Sequence, residues 1–289
     1  MTNTKSSNFI VTNTDTAGAI SYWRLSGDTT LAKLTQAWQA EGLDAALLPS
    51  EPSAEVAIRR AVVSQESANR KAFKIKGGDF NGGWGLVEVD TKDGHVNTTE
   101  LIRARWDVGY QIIRTDINTL SVETSKISNE IQAAFRAARV TLASTDIGGW
   151  LVKLADGKAA TSLRDSGGIY FVPRPNVAFW EQVARAIQAA GEHRVFRIPA
   201  LHCDEAVEAI LDSITREARD AAEEIEAELA ARTEESGIGD RALASRKVRC
   251  EKLLDKIRSY ETLLGVKLPE IQTRIEGLAG SVVAAALAA

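Results

Sequence analysis

The chain is poor in the residues that carry most chemistry. Its 289 residues include two cysteines, three histidines and one methionine. Cys203 and Cys250 are too few for a disulfide framework and lack the close spacing of a zinc site, so a reducing compartment fits and no metal or cofactor is expected. His95, His193 and His202 leave little material for a histidine metal site or a relay of proton shuttles. Long apolar runs are missing too: none approaches the roughly 20 residues that span a bilayer. The opening MTNTKSSNFIVTNTDTAG lacks the basic-then-apolar order of a signal peptide. A cytoplasmic protein of a bacterial or archaeal host is expected, with no membrane partner.

What is present is globular: 44% hydrophobic and 26% charged residues, with length enough for two domains. A net charge of -4 argues against a surface built throughout for nucleic acid or anionic membrane. The charges are nevertheless segregated. Between residues 59 and 76, Arg59, Arg60, Arg70, Lys71, Lys74 and Lys76 meet the single acid Glu66. Between 204 and 235, twelve acids meet three arginines, and from 240 to 258 seven basic residues meet three acids.

The first part of the chain mixes short strands and helices. AISYWRL, residues 19 to 25, is rich in aromatic and β-branched residues and predicts a strand, which Gly27 and Asp28 end. A helix follows with Leu31, Leu34 and Trp38 on one face, and Ser53 caps a second that runs to about Ala68. Then comes NRKAFKIKGGDFNGGWG, residues 69 to 85. Alternation over Phe73 to Lys76 and again over Trp84 to Asp90 predicts two strands of a hairpin around the glycines. A phosphate loop would lead into a helix and carry Gly-Lys-Ser/Thr; this one leads into a strand without that triplet. Further strands are expected at Val96 to Arg105, Tyr110 to Thr115 and Leu120 to Glu123, after which Ser128 caps a helix with Ile131, Phe135, Ala138 and Leu142 on one stripe.

GGIYFVP and RVFRIP flank a helix marked by Val177, Trp180, Val183 and Ile187, which makes residues 167 to 199 a β-α-β unit. It lacks the glycine turn of a dinucleotide site. The last ninety residues read as helices. Val207, Leu211, Ile214, Ile225 and Leu229 recur at helical spacing before the turn TEESGIGD, and Leu243, Leu254 and Ile257 recur after it. An acidic arm and a basic arm thus form a long antiparallel helical hairpin, followed by a short helix to about Leu278 and an apolar tail containing Val282 and Val283. The expected class is α+β: an N-terminal mixed domain with an antiparallel sheet (1–126), a central helix with the β-α-β unit (127–202), and the hairpin with its tail (203–289).

Candidate chemistry is sparse. Cys203 lies at the start of a long helix beside His202, a setting that could activate a thiol, yet Asp204 and Glu205 disfavour a thiolate there. No catalytic residues are assigned and no enzyme is expected. Two roles remain. The first is self-assembly into a homo-oligomer through Val207, Leu211, Ile214, Ile225, Leu229, Leu243, Leu254, Ile257, Val282 and Val283. The second is single-stranded nucleic acid bound by Arg59, Arg60, Arg70, Lys71, Lys74 and Lys76, with Trp84 stacking on a base.

YWRLSGD (22–28), GLDAALLPSEPSAEVAIRRAV (42–62), LRDSGGIYFVP (163–173) and FRIPAL (196–201) resemble an uncharacterised family of phage, plasmid and other mobile-element proteins. The resemblance covers nearly the whole chain. It implies a mobile-element origin and brings no catalytic residue.

Overall fold

The computed structural model describes residues 16–76, 83–92, 95–165, 168–230 and 240–287. They form two compact units, neither continuous in sequence: one holds residues up to Arg24, Leu151–Ala184 and everything from Arg194, the other Leu25–Trp150 and Arg185–His193. The residues 127–202 expected to form a middle segment are shared between the two.

The first unit is built on a four-stranded antiparallel sheet in the order β10-β1-β9-β8, comprising β1 (Thr16–Arg24), β8 (Thr161–Ser162), β9 (Ile169–Pro173) and β10 (Arg194–Leu201). The expected β-α-β unit is present, with helix α5 (Val177–Ala190) joining β9 to β10. Its two strands are not neighbours, because β1 lies between them and pairs antiparallel with both. Ser21 of β1 is fully buried, so its hydroxyl must be satisfied internally. It accepts from Trp180 Nε1 at 2.7 Å and donates to the Phe196 carbonyl at 3.1 Å, which ties α5 to two strands at one point.

Three helices complete this unit: α6 (Asp204–Ala230), α7 (Asp240–Leu264) and α8 (Pro269–Leu287). The acidic arm pairs with the basic arm as the charge blocks predict. Arg246 meets Glu228 at 2.6 Å, Arg249 meets Glu224 at 2.6 Å and Lys256 meets Glu217 at 2.6 Å, a descending series that fixes the antiparallel register. The connecting turn lies outside the described residues. The final helix runs past Leu278 to Leu287, beyond the expected end. Its Ile271, Ile275, Leu278 and Val282 join Ala218, Ile225, Leu243, Cys250 and Ile257 in one core. Each large aliphatic side chain so buried contributes about 1.5–3 kcal/mol.

The second unit is a two-layer sandwich. Strands β3 (Arg70–Ile75), β4 (Gly83–Lys92), β5 (His95–Asp107) and β6 (Ile112–Ile117) form an antiparallel meander, and α2 (Ala54–Val63) and α3 (Val122–Val140) pack on one face. The glycine-rich loop between β3 and β4 lies outside the described residues, but the two strands pair as the hairpin reading requires. Leu86, Ile102 and Ala104 meet Ile58, Val62, Ile127 and Ile131 in the core. Helix α1 (Leu31–Ala40), a two-stranded ribbon of β2 (Thr29–Thr30) and β7 (Thr141–Leu142), and the start of α4 (Ser144–Asp156) complete the unit.

Two local expectations are corrected. Leu120 to Glu123 alternates like a strand but begins α3, because Ser121 and Thr124 cap each other reciprocally: each side chain accepts from the other residue's backbone N–H. Ser128 is therefore no cap. It lies inside α3, buried, with its hydroxyl 2.7 Å from that of Thr115 on β6. The helix begun at Ser53 stops at Val63 rather than Ala68.

Candidate functional site

An enclosed polar cluster lies where α6 and α7 meet the segment before β8. Lys256 is 7% exposed, and its ammonium donates to the Ala160 carbonyl at 2.7 Å as well as to Glu217. Thr161 Oγ1 donates to the other Glu217 oxygen at 2.7 Å, and the Tyr260 hydroxyl donates to the Ala159 carbonyl at 2.8 Å. Burial pushes the Tyr260 phenol far above its ordinary value. Every strong contact of Lys256 joins one part of the scaffold to another, so the cluster is a lock that fixes α6 and α7 to the chain around β8.

The basic segment is dispersed. Strand alternation puts Lys71 on the helix-free face of the β3–β6 sheet and Lys74 on the opposite face, where its ammonium meets Glu55 of α2 at 2.8 Å and holds that carboxyl below its ordinary range. Arg60 is committed to Asp146 at 2.6 Å and to the Thr141 carbonyl. Arg70 reaches Glu123 at 3.7 Å, while Arg59 and Lys76 are exposed. Trp84 is half-buried against the helices, as is Trp106, whose ring lies 5.6 Å from that of Phe135. The structure does not bring the six cations and Trp84 to one surface.

The helix-free face carries a different set. Phe73 lies across Gly85, where a Cβ would come within 2.2 Å of its ring. Beside it, Arg103 bonds Glu100 at 2.7 Å, Arg105 meets Asp116 at 3.3 Å and Arg114 meets Asp107 at 2.6 Å, with Arg114 also 5.4 Å from the Tyr110 ring centre.

The proposed thiol stands in the turn ahead of α6. Cys203 is exposed, and its carbonyl accepts from Val207 N–H at 2.9 Å; Cys250 is buried, which pushes its thiol up. Among the described residues, no group of three His, Cys, Asp or Glu side chains is placed to hold a metal, and no helix is long and apolar enough to cross a membrane.

Most of the residues expected to form oligomer contacts lie in the chain's own core. Ile214, Ile225, Leu243, Leu254, Ile257 and Val282 are buried; Val207, Leu211 and Leu229 are half-buried, and Val283 is exposed. The seam read from the heptads is real, but it is covered within the chain: Ile225, Leu243, Leu254 and Ile257 by α8, and Val207, Leu211 and Ile214 by the sheet residues Ala17, Phe171 and Ala200.

Exposed apolar surface appears instead on the β10-β1 edge of the first sheet. Tyr22 and Phe196 are direct cross-strand partners and stack with ring centres 4.8 Å apart and planes 17° from parallel. Both remain exposed, 37% and 38%, as do Ile198 at 51% and Leu201 at 47%. Phe196 and Ile198 share one face with Tyr22, since alternate residues of a strand point the same way. Sequence reasoning found both strands but not this pairing, which only the β1–β10 register supplies.

No curated protein and no solved structure matches the chain. A family of unknown function, DUF6744, matches it over residues 18–289. The chain therefore belongs to the DUF6744 family.

Proposed function

We propose that the protein is a non-enzymatic self-associating protein whose contact surface is the exposed apolar end of the β1–β10 sheet. One observation carries this: an aromatic stack, Tyr22 on Phe196, stands in solvent beside Ile198 on the same sheet face. A patch of contiguous large apolar side chains is the usual mark of an interaction surface. A phage- or plasmid-type setting rests on the sequence resemblance alone. Sedimentation equilibrium of the full chain over a range of concentrations tests the reading. Association that disappears in Phe196→Ser/Ile198→Ser supports it; association unchanged in that variant counts against it.

A second reading, single-stranded nucleic acid on the helix-free face of the β3–β6 sheet, is favoured by the Phe73 ring set against Gly85 beside Lys71, Arg103, Arg105 and Arg114. An aromatic platform flanked by cations suits bases and phosphates. Exposed arginine–carboxylate pairs are each worth only about 0–1 kcal/mol, so phosphates could displace those carboxylates. Fluorescence anisotropy with a labelled oligonucleotide decides it: binding that weakens with salt and is lost in Arg103→Glu/Arg105→Glu supports it, and no binding at low salt rejects it.

A further inference from the structure

An unguarded edge strand is a template for pairing with another strand. The two four-stranded sheets have four edges, and three of them are guarded: β10 contains Pro199, β8 is two residues long, and β3 carries Lys71 and Lys74. The fourth, β6, has no proline, no lysine and no bulge in its pairing with β5. Asn118 N–H donates to the Leu101 carbonyl at 3.0 Å, which sets the alternation along the strand. Ile112, Arg114 and Asp116 turn their backbone groups toward β5, and Ile113, Thr115 and Ile117 turn theirs away from it. The free edge therefore offers N–H and C=O groups at alternate positions centred on Thr115.

About that centre the strand is complementary to itself. An antiparallel copy placed with Thr115 on Thr115 sets Ile113 against Ile117 and Arg114 against Asp116, each twice. Arg114 and Asp116 already meet Asp107 and Arg105 of their own chain, so the new pairs extend a charge network rather than neutralise a bare charge. Arg114 is also the direct cross-strand partner of Arg105, an unfavourable neighbour, and Asp116 of the second copy would stand on its open side. The match continues past the strand ends. Tyr110 and Leu120 lie five positions either side of Thr115, and Val108 and Val122 lie seven. Val122, Leu120 and Tyr110 are the three most exposed large apolar side chains among the described residues, at 90%, 83% and 72%, and Val108 is exposed too. Antiparallel pairing brings the Val108–Tyr110 end of each chain to the Leu120–Val122 end of the other.

We infer that β6 is a further self-association surface, on which a second copy adds its own β6 antiparallel about a two-fold axis through Thr115 and joins the two β3–β6 sheets into one. The contact is isologous and makes about six backbone hydrogen bonds. Each replaces a bond to water and contributes little net, while association costs translational and rotational freedom, so a single edge is weak between monomers. A dimer joined through the proposed Tyr22–Phe196 surface carries two such edges, and dimers associate through them where monomers do not. The inference rests on that reading for its two-edged unit and adds a second interface.

Charge exchange tests it on the full chain by sedimentation velocity, at concentrations well above those at which the chain dimerises. The wild type should form species larger than a dimer. Arg114→Asp sets Asp against Asp twice and Asp116→Arg sets Arg against Arg twice, so each alone should weaken the step beyond the dimer about 10-fold or more. An equimolar mixture of the two, and Arg114→Asp/Asp116→Arg in one chain, again join opposite signs and should restore the larger species. Thr115→Pro removes the central N–H without taking a bond from β5 and should also stop assembly at the dimer. Circular dichroism confirms that each variant is folded. A wild type that stops at the dimer, single reversals that assemble past it as the wild type does, or reversals that stay at the dimer when mixed overturn the β6 pairing and leave the Tyr22–Phe196 surface standing. Association that survives Phe196→Ser/Ile198→Ser but is lost in Arg114→Asp supports the β6 edge and removes the other surface. A wild-type chain that is monomeric at all concentrations overturns both.

Discussion

Tyr22 and Phe196 stack across adjacent strands with their ring centres 4.8 Å apart, and each residue leaves more than a third of its surface in water. Such a pair is worth about 0.5–1.5 kcal/mol beyond area burial, too little to explain three large apolar side chains left exposed on one sheet face. Phe196→Ser should therefore lower stability by only ~1 kcal/mol, read from urea unfolding in a dilute sample. A loss several times larger would mean that Phe196 serves the core of its own chain.

Lys256 is predicted to matter far more to stability. Lys256→Ala leaves Glu217 and the Ala160 carbonyl without their cation and should cost about 3 kcal/mol. Lys256→Met/Glu217→Met, which removes both charges, should recover most of that loss. If the double variant is as unstable as the single one, the ion pair itself, rather than an uncompensated charge, holds the helices to β8.

Stability should fall in two steps as the solution is acidified. Burial holds the His193 pKa below its ordinary 6.5, with Asp28 opposing in part. The unfolded chain therefore binds this proton first, so the contribution is complete above about pH 6.5 and is lost as pH falls toward the lower folded value. The carboxyls of Glu100, Glu226, Glu228 and Glu261 lie below their ordinary 4.5: the first three through hydrogen bonds from Arg103, Arg274 and Arg246, Glu261 through the backbone N–H of Leu268. Their contribution is lost as pH falls from about 4.5. Denaturation midpoints at pH 7.5, 5.5 and 3.5 check both steps; no change between the first two would remove the His193 step.

Gly18 sits where β9 leaves no room for a side chain on β1. A Cβ there would sit 2.2 Å from the Val172 carbonyl oxygen and 2.8 Å from the Phe171 ring, so backbone must move to admit one. Gly18→Ala should destabilise the chain by about 3 kcal/mol, the upper end for overpacking. A thermal midpoint unchanged from wild type would show that the strands separate freely.

Much of the fold was legible because it follows from periodicity. Alternation located β3, β4 and β5, and the heptads with their opposite charges located α6 and α7. What failed was the identity of the partner. Lys74 and Trp84 alternate as a half-buried strand should, but only the position of α2, with Glu55 against Lys74, decides which face is covered. The seam of Ile225, Leu243 and Ile257 requires an apolar neighbour, and a second chain would satisfy that pattern as well as α8 does. Leu120 to Glu123 misled because two hydroxyls that cap each other outweigh four residues of alternation. Tyr22 and Phe196 are 174 positions apart, and no local pattern announces that they touch.

The most direct test of self-association is sedimentation equilibrium of the wild-type chain beside Phe196→Ser/Ile198→Ser at matched concentrations and low salt. The proposed surface predicts a concentration-dependent dimer for the first and a folded monomer for the second. Equal masses for the two, whether both dimers or both monomers, would contradict it.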